Sequence, residues 1–394
     1  MRPLDGITVV AVEQAVAVPF ATRQLADMGA DVIKIERPDG GDFARDYDDA
    51  IGGVLSTHFA WLNRGKQSIA IDLRSEVGAS VFEALVGRAD VLIHNLAPGA
   101  MARLGFAADR LRRDHPSLIN AELTGYGDAG PMSERKAYDL LIQAEAGVVS
   151  ITGSEDAPAK TGIPIADISA GSFLVQGVMG ALLARARTGD GDHIRVSLFD
   201  SMVEWMGYPL YRQLYHGSPP PRVGLAHPTV VPYDAYPTSD GQQILIGVQN
   251  DRGWTALATD VLGMAELVSD ARTATNLARC ANREFVDSAV ASRTAQLTAE
   301  ELLGRLDRAG IPSGRVNSVG AVIEHPQLVQ RDRWTTVDSP AGPIRALRPP
   351  VTSDGYQAEM RPIPALGEHT DAVLAGLGIP PERVREYRDA GVVA

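Results

Sequence analysis

The first two hundred residues alternate between short apolar segments and longer helical ones. Most of the short segments are rich in β-branched residues, which is typical of strands buried in a parallel sheet. We predict strands over residues 7–12, 31–36, 68–73, 90–94, 118–123 and 194–198, and helices over residues 19–28, 77–86 and 202–215. Because strands that alternate with helices form βαβ units, the pattern predicts an α/β fold built on a parallel sheet.

One further segment, Phe173 to Arg187, is the most apolar helix of the chain. Its apolar residues run nearly all the way round, which predicts a buried helix. No stretch reaches about 18 consecutive apolar residues, so we expect no membrane-spanning helix. Asp5 precedes any apolar run, so the N-terminus does not predict a signal peptide.

A break in the pattern follows residue 216, where Gly217-Ser218 leads into three consecutive prolines. Three prolines form a stiff, extended linker, and we place a domain boundary there. Beyond the linker we predict a hairpin over 233–238 and 243–248 that turns at Asp240-Gly241, and helices near 254–262, 283–291 and 299–309. The last of these helices begins with a capping box that runs from Thr298 to Glu301.

The stretch from 340 to 367 is rich in proline and glycine and has little periodicity, which indicates an extended return across the body of the protein. The domain prediction follows from this organisation. Residues 1–216 and 326–394 form a large parallel-sheet domain, and residues 217–325 form a smaller α+β domain with its proline-rich linker.

The composition and net charge of the chain argue against some classes of partner and site. The 394 residues carry 37 lysines and arginines against 49 aspartates and glutamates, a net charge of −12. That balance argues against a nucleic-acid partner, which needs a basic face. The single cysteine, Cys280, allows no intrachain disulfide and no zinc site built on two cysteines. It fits a reducing, cytoplasmic location, and we expect no metal.

Three common active-site motifs are missing. The first strand is not followed by G-x-G-x-x-G, so the pyrophosphate cradle of a nicotinamide enzyme is absent. Arg64-Gly65-Lys66-Gln67 lacks the Ser or Thr and the upstream glycine of a phosphate-binding loop. No G-x-S-x-G turn is present, which weakens a hydrolase interpretation.

A different set of motifs resembles the class III CoA-transferases, the superfamily of formyl-CoA transferase and α-methylacyl-CoA racemase. The matching segments run in order along nearly the whole chain. They are 3–7 (PLDGI), 25–38 (LADMGADVIKIERP), 63–69 (NRGKQSI), 94–99 (HNLAPG), 103–106 (RLGF), 136–139 (KAYD), 310–312 (GIP) and 366–370 (LGEHT). The resemblance implies a Rossmann-like large domain, a smaller domain and an interlocked homodimer.

The resemblance also implies a nucleophile. The segment Pro164 to Gly171 aligns with the family's catalytic aspartate, which falls at Asp167. Its carboxylate would attack an acyl-CoA thioester and form first an aspartyl anhydride and then an aspartyl-CoA thioester. From local sequence alone, an aspartate before a helix is more often an N-cap. The two interpretations are compatible, because helix N-terminal amides stabilise a carboxylate.

Coenzyme A is anionic, so an acidic protein must hold it with local cations. By resemblance, the CoA-binding residues are Arg37, Ile71, Asp72, Leu73, Arg74, Asn95, Leu96, Ala97, Arg103, Lys136 and Asp139. Arg37, Arg74 and Asn95 lie at or just past the carboxyl ends of predicted strands, where open α/β sheets bind ligands. The alternative for any single arginine is a solvated surface charge.

Three residues are predicted to contact the acid: Tyr138, Gln14 and Val16. Related racemases have a histidine where this chain has Tyr138, and a tyrosine with a pKa near ~10 is a poor base at neutral pH. Racemisation is therefore disfavoured, and Tyr138 is expected to orient the acyl group unless it is an ordinary half-buried aromatic. A glutamine of formyl-CoA transferase falls at Val16, with Gln14 nearby.

The expected substrates are an acyl-CoA and a small carboxylic acid. The family's glycine-rich loop has no counterpart over 227–250, which puts formate and oxalate in doubt. Residues 14–24 and 41–47 look more like the subgroup that acts on itaconate, citramalate or mesaconate with succinyl-CoA. We therefore expect a CoA-transferase for a C4–C5 di- or hydroxycarboxylic acid. A racemase or epimerase of the same superfamily and a non-catalytic CoA-binding protein are the alternatives.

Overall fold

The computed structural model describes residues 1–394. Its strands are β1 (Thr8–Val12), β2 (Asp31–Glu36), β3 (Lys66–Ala70), β4 (Val91–His94), β5 (Ile119–Thr124), β6 (His193–Ser197), β7 (Tyr233–Pro237), β8 (Gln243–Gly247), β9 (Ser313–Arg315), β10 (Trp334–Val337) and β11 (Ile344–Leu347). Its helices are α1 (Ala17–Asp27), α2 (Thr57–Asn63), α3 (Glu76–Val86), α4 (Ala100–Arg103), α5 (Ala108–Asp114), α6 (Asp139–Glu145), α7 (Val148–Ile151), α8 (Ile165–Thr188), α9 (Leu198–Trp205), α10 (Gly207–His216), α11 (Asp251–Ala256), α12 (Asn276–Ala281), α13 (Arg283–Thr294), α14 (Ala299–Arg308), α15 (Val319–Ile323), α16 (Pro326–Val329), α17 (Thr370–Gly376) and α18 (Pro381–Asp389).

The contacts within the chain divide it into two compact units. The first contains residues 1–148, 160–208 and 330–394, and the second contains residues 149–159 and 209–329. The sequence placed the boundaries at 216/217 and 325/326, whereas the units change at 208/209 and 329/330.

The first unit is built on six parallel strands in the order β3-β2-β1-β4-β5-β6. The six predicted strands match these six elements, and the α/β class with a parallel sheet is confirmed. The strand order reverses between β1 and β4, so the chain leaves their carboxyl ends in opposite directions. Such a switch point opens a crevice where doubly wound sheets bind ligands.

Side-chain alternation along the strands divides the packing between the two faces of the sheet. One face carries Val10 and Leu92, which belong to an apolar cluster with Phe82 of α3 and Leu374 of α17. The register places Ile194 on the other face, and Gly177 of α8 lies against it. Helix α8 also packs on α1, so both helices cover the face opposite α3.

The second unit contains an antiparallel sheet in the order β7-β8-β9 and its own apolar core. The predicted hairpin is present as β7 and β8, and Gly241 in its turn has a φ of 75°. The predicted capping box is also present, since Thr298 and Glu301 hold each other's backbone at the start of α14. The sequence pattern missed β9, a strand of only three residues.

Helix α8 departs from its prediction in two ways. It begins at Ile165, eight residues before the predicted start, and it is not buried on every side. Its buried residues, such as Leu174, Val178 and Ala181, follow one stripe, while the Leu183 side chain is 59% exposed. By length and composition alone, α8 is long and apolar enough to cross a membrane, with a mean hydropathy of 1.4. The sequence did not indicate such a helix, because it has no uninterrupted apolar run of that length.

Two other segments differ from the sequence pattern. The helix predicted over 202–215 is two helices, α9 and α10, which are separated at Met206. Within 340–367, residues 344–347 form β11, which pairs antiparallel with β10. That hairpin has only four residues in each strand, too few for a period of two to stand out against the surrounding loop.

Candidate active site

Asp167 is the third residue of α8, where the backbone N–H groups have no partner within the helix. The partner comes from another element, because Asp139 Oδ1 accepts the N–H of Ala166 at 2.7 Å and that of Asp167 at 3.3 Å. Gln143 holds the other oxygen of Asp139 at 2.6 Å. The N-cap interpretation of Asp167 is therefore wrong: Asp139 caps the helix, and the Asp167 side chain is left for another role.

The environment of the Asp167 carboxyl group favours its neutral form. Burial raises the pKa of Asp167 to about 7, and the negative charge of Asp139 adds to the effect. Neither a cation nor a hydrogen-bond donor offsets these two influences. A carboxylate that is poorly stabilised near neutral pH is more basic than an ordinary aspartate, which suits a nucleophile or a base.

The face of α8 that carries Asp167 packs against the first turn of α1. Gly171 lies one turn further along the same face of α8, and a Cβ at Gly171 would stand 2.6 Å from the Ala17 carbonyl oxygen and 2.9 Å from a ring carbon of Phe20. Two helix backbones approach this closely only because the residue at the crossing is glycine. The loop residues Gln14 and Val16, which sequence reasoning assigned to the acid site, lie immediately before this crossing.

Asn95 is committed to the same loop. Its Oδ1 accepts the Gln14 N–H at 3.1 Å, and its Nδ2 donates to the Gln14 carbonyl oxygen at 2.9 Å. The Asn95 amide thus joins the carboxyl ends of β1 and β4 across the switch point. Sequence reasoning assigned Asn95 to CoA, but in the structure its amide already binds the protein backbone.

Two tyrosines lie near Asp167. Tyr138 immediately precedes Asp139, and its side chain is 66% exposed. Tyr47 is 47% exposed, and burial together with the charges of Asp42 and Asp167 raises its pKa. Sequence reasoning did not assign Tyr47 to the site, although it falls within the 41–47 segment that resembled the dicarboxylate subgroup. Its place in the segment that follows the carboxyl end of β2 was the available signal.

A cavity of about 410 Å³ opens at the carboxyl ends of β1, β2 and β3. Its lining consists of Val12, Ile35, Glu36, Arg37, Ile71, Asp72, Leu73, Arg74, Leu96, Ala100, Arg103 and Leu104. Seven of these were assigned to CoA from the sequence: Arg37, Ile71, Asp72, Leu73, Arg74, Leu96 and Arg103. The volume falls within the range of small-molecule sites.

Apolar walls and a basic rim give this cavity its chemistry. Arg37 makes two 3.3 Å contacts to the Gly41 carbonyl oxygen and lies 4.0 Å from an exposed carboxylate, Asp39. Arg103 makes one 3.3 Å contact to the Pro98 carbonyl oxygen. Arg74 stands 3.6 Å from Asp72. These guanidinium groups keep most of their donors free for an anion. Ala97 and Lys136 are exposed and do not line the cavity.

Comparison with known proteins agrees with this arrangement. The model of CoA-transferase family III matches residues 4–370. A succinate–glutarate CoA-transferase of Agrobacterium fabrum is 36% identical and spans 95% of this chain and 96% of its own length. A succinyl-CoA:mesaconate CoA-transferase of Haloarcula hispanica is 33% identical and spans 98% and 99%. A CAIB/BAIF family protein of Brucella suis has a similar structure, with a TM-score of 0.86 and 37% identity over 95% of this chain and 99% of its own.

The motif resemblance is confirmed, and the relatives named above are CoA-transferases. This chain belongs to CoA-transferase family III.

Proposed function

We propose that the enzyme transfers CoA from succinyl-CoA to a small di- or hydroxycarboxylic acid through covalent catalysis by Asp167. The observation that carries the proposal is the state of that carboxyl group. It lies at the start of a long helix whose cap is supplied by Asp139, and its pKa is raised to about 7. The names of the relatives, which pair succinate or succinyl-CoA with glutarate or mesaconate, support the choice of substrates.

The exchange proceeds in four steps. The Asp167 carboxylate attacks the thioester carbonyl carbon, and the carbon–sulfur bond breaks to give a mixed anhydride and CoA thiolate. The thiolate attacks the Asp167 carbonyl carbon, which releases the donor carboxylate and leaves an aspartyl-CoA thioester. The acceptor carboxylate displaces the thiolate and forms a second anhydride. Attack of the thiolate on the acceptor's acyl carbon then gives the new acyl-CoA and regenerates the Asp167 carboxylate, with no net proton uptake.

The cavity described above is the proposed site for the nucleotide part of CoA. The adenine would lie along Ile71 and Leu73, and the phosphates would contact Arg37, Arg74 and Arg103. Planar guanidinium groups suit this role because they bind phosphate oxygens in pairs. Lys136 is exposed and close in sequence to Tyr138, and we propose that it contacts the CoA chain between the cavity and Asp167.

The acid would be recognised near the β1–α1 loop. Gln14, Val16 and Tyr138 are the residues proposed from the sequence, and Tyr47 joins them because of its electrostatic contact with Asp167. A dicarboxylic acid leaves its second carboxylate unreacted, so polar side chains such as Gln14 and the two phenol groups are suitable partners.

We also propose that the enzyme is an interlocked homodimer. No residue of α10 is buried, and five of its large apolar side chains are exposed: Tyr208, Leu210, Tyr211, Leu214 and Tyr215. An apolar face of this kind needs a cover. Light scattering should give twice the 42.0 kDa mass of one chain, and Leu214→Lys should weaken the dimer. A wild-type mass of one chain would refute the dimer.

A substrate panel tests the proposed reaction. Succinyl-CoA is offered with glutarate, itaconate, citramalate, mesaconate, oxalate or formate, and new acyl-CoA species are identified by mass spectrometry. Hydroxylamine should trap activated Asp167 as a hydroxamate, and Asp167→Asn should abolish both trapping and transfer. Full transfer by Asp167→Asn would refute the mechanism. Deuterium uptake at the α-carbon without any acceptor acid would favour a racemase instead.

A further inference from the structure

The loop between β1 and α1 contains a strained residue. Ala15 has a φ of 63°, in the left-handed region that favours glycine, and Asp332 is the only other residue besides the glycines with a positive φ. A non-glycine residue stays in this region only when its surroundings hold it there. Ala15 lies between Gln14 and Val16, so its backbone angle sets the path by which the chain enters α1.

Asp42 supplies the contact that holds Ala15. Its Oδ1 accepts the Ala15 N–H at 3.0 Å and the Ala44 N–H at 2.9 Å, so one oxygen fixes two segments of backbone. Its Oδ2 accepts a hydrogen bond from Lys34 Nζ at 2.8 Å. The Asp42 side chain is buried and 27 residues away from Ala15 in sequence, so this is a tertiary contact rather than a local turn.

Lys34 connects Asp42 to the other side of the same loop. Its ammonium group is fully buried in the middle of the sheet and lies 3.3 Å from Glu13 Oε1. Glu13 also accepts a hydrogen bond from Lys66 Nζ at 2.6 Å, so two buried carboxylates face two buried ammonium groups. Buried charges persist only when paired in this way. Lys34 of β2 thus pairs with both Glu13, which lies two residues before Ala15, and Asp42, which accepts the Ala15 N–H.

The loop held by this network leads into the first turn of α1, against which the Asp167 face of α8 packs. The Ala17 carbonyl oxygen, two residues after Ala15, lies at the close crossing with Gly171 of α8. After burial, the charges of Asp42 and Asp167 both contribute to the raised pKa of Tyr47, so both carboxylates lie within electrostatic range of its phenol group. The backbone at residues 14–16 therefore directly precedes the segment against which the Asp167 face of α8 packs.

We propose that Asp42, held by Lys34, is a positioning residue for acyl transfer. It keeps Ala15 in the left-handed conformation, so that the backbone beside Asp167 is already in place when the acyl group arrives. Fixed backbone groups speed a reaction because they need not reorganise as charge develops. This inference rests on the proposed CoA transfer, since it assigns the loop a role in that reaction.

Removal of Asp42 and relief of the strain at Ala15 form the test. Asp42→Ala should lower kcat roughly tenfold to a hundredfold, because a displacement of about 1 Å costs about that much. The KM for succinyl-CoA should change less than threefold, since Asp42 does not line the cavity. Adding Ala15→Gly should restore part of kcat, because glycine adopts a positive φ without strain. Ala15→Gly alone should lower kcat less than Asp42→Ala does, because Asp42 still accepts the N–H of residue 15 and holds the loop.

Asp27→Ala is the matched control. Asp27 is equally buried and paired with two cations, Arg23 and Arg64, but it lies at the far end of α1. Its loss should lower stability while kcat per folded enzyme stays within twofold. Should Asp42→Ala not fold, Asp42→Asn carries the test. It keeps one acceptor for Ala15 but turns an amide NH₂ toward Lys34, and a threefold to tenfold loss of kcat should again be lessened by Ala15→Gly.

Two results would overturn the proposal: unchanged kcat in the Asp42 variants, or a loss of kcat that Ala15→Gly does not lessen. Hydrogen exchange of residues 13–18 supplies a readout besides activity. These amides should be protected in the wild type and exchange faster in Asp42→Ala; equal protection would also overturn the proposal. If wild type transfers CoA to no acid, the proposed function fails, and the exchange measurement still decides whether Asp42 holds the loop.

Discussion

The raised pKa of Asp167 predicts how the reaction depends on pH. Because the nucleophile is the carboxylate, kcat/KM should follow the ionised fraction of Asp167 in the free enzyme. With a pKa of about 7, about one tenth of the molecules are ionised at pH 6 and about nine tenths at pH 8. Ionisation of Asp167 alone should therefore raise the rate constant about tenfold between these two pH values. An aspartate with its ordinary pKa of 3.8 would give a flat profile over the same range.

The variant Asp139→Asn separates the two causes of the raised pKa of Asp167, which are burial and the charge of Asp139. The variant keeps an oxygen that can accept the N–H groups of Ala166 and Asp167, but it removes the negative charge that disfavours ionisation of Asp167. Burial, the larger cause, stays. The pH profile should thus move to lower pH without becoming flat, and the activity at pH 6 relative to that at pH 8 should increase.

The ammonium group of Lys66 titrates over the same pH range as Asp167, so its effect on the pH profile has to be distinguished from that of Asp167. Burial lowers the pKa of Lys66 to about 7, and the neighbouring charges of Glu13, Lys34 and Asp42 act on it as well. Loss of its proton above pH 7 would lower activity at high pH, in the opposite direction to Asp167. None of these charges changes in Asp139→Asn, so only the low-pH limb of the profile should move.

The assay is initial-rate formation of the new acyl-CoA at subsaturating succinyl-CoA, measured from pH 5.5 to pH 9 for wild type and Asp139→Asn. Asp389→Asn, an exposed carboxylate of α18, is the control and should leave the profile unchanged. A flat wild-type profile would refute the assignment of Asp167 as a buried, poorly stabilised nucleophile. An Asp139→Asn profile displaced to higher pH would refute the role given to the Asp139 charge.

Three further predictions concern stability, packing and CoA binding. The pKa of Asp167 in the folded protein lies above its ordinary value of 3.8, so ionised Asp167 destabilises the fold increasingly from about pH 4 to about pH 7. In urea denaturation, Asp167→Asn should therefore raise the free energy of unfolding at pH 8 by at most about 4 kcal/mol and have little effect near pH 4. Gly171→Ala should destabilise the protein by about 1–3 kcal/mol and lower kcat, because its Cβ would meet Ala17 and Phe20. Gly180→Ala in the same helix has open space around its Cβ and should stabilise the protein by about 0.5–1 kcal/mol. Equal effects of the two substitutions on stability would contradict the close crossing of α8 and α1. Arg37→Ala and Arg103→Ala should each raise the KM for succinyl-CoA about tenfold with little change in kcat, while Arg187→Ala, which removes an exposed charge outside the cavity, should change neither.

The parallel sheet could be predicted because its strands are short, apolar and separated by helices. The start of α8 could not, since Ile165 to Ser172 carries Asp, two Ser and a Gly, which give no apolar stripe. That turn of helix is stabilised from outside by Asp139, through hydrogen bonds that span 27 and 28 residues of sequence. The helix propensities of the local residues cannot indicate a cap whose side chain belongs to another element.

The CoA cavity could be predicted more fully than the acid site. Residues that follow parallel strands meet at one edge of the sheet, so positions such as Arg37, Ile71 and Leu96 come together from topology alone. Asn95 shares that location, yet its amide pairs with the Gln14 backbone instead. The use of a polar side chain by a ligand or by the backbone depends on its orientation, which a strand-end position does not specify.

The segment Asp31 to Glu36 shows how one strand can serve both parts of the site. From Ile33 to Glu36 apolar and polar residues alternate, a pattern that usually indicates a strand with one solvated face. In β2 the polar face is buried: Lys34 reaches Asp42 and Glu13, and Glu36 binds Arg45. The opposite face carries Ile35 into the wall of the cavity. Because the pleat sends these side chains in opposite directions, a change at Lys34 should act on kcat through the loop, whereas a change at Ile35 should act on the affinity for CoA.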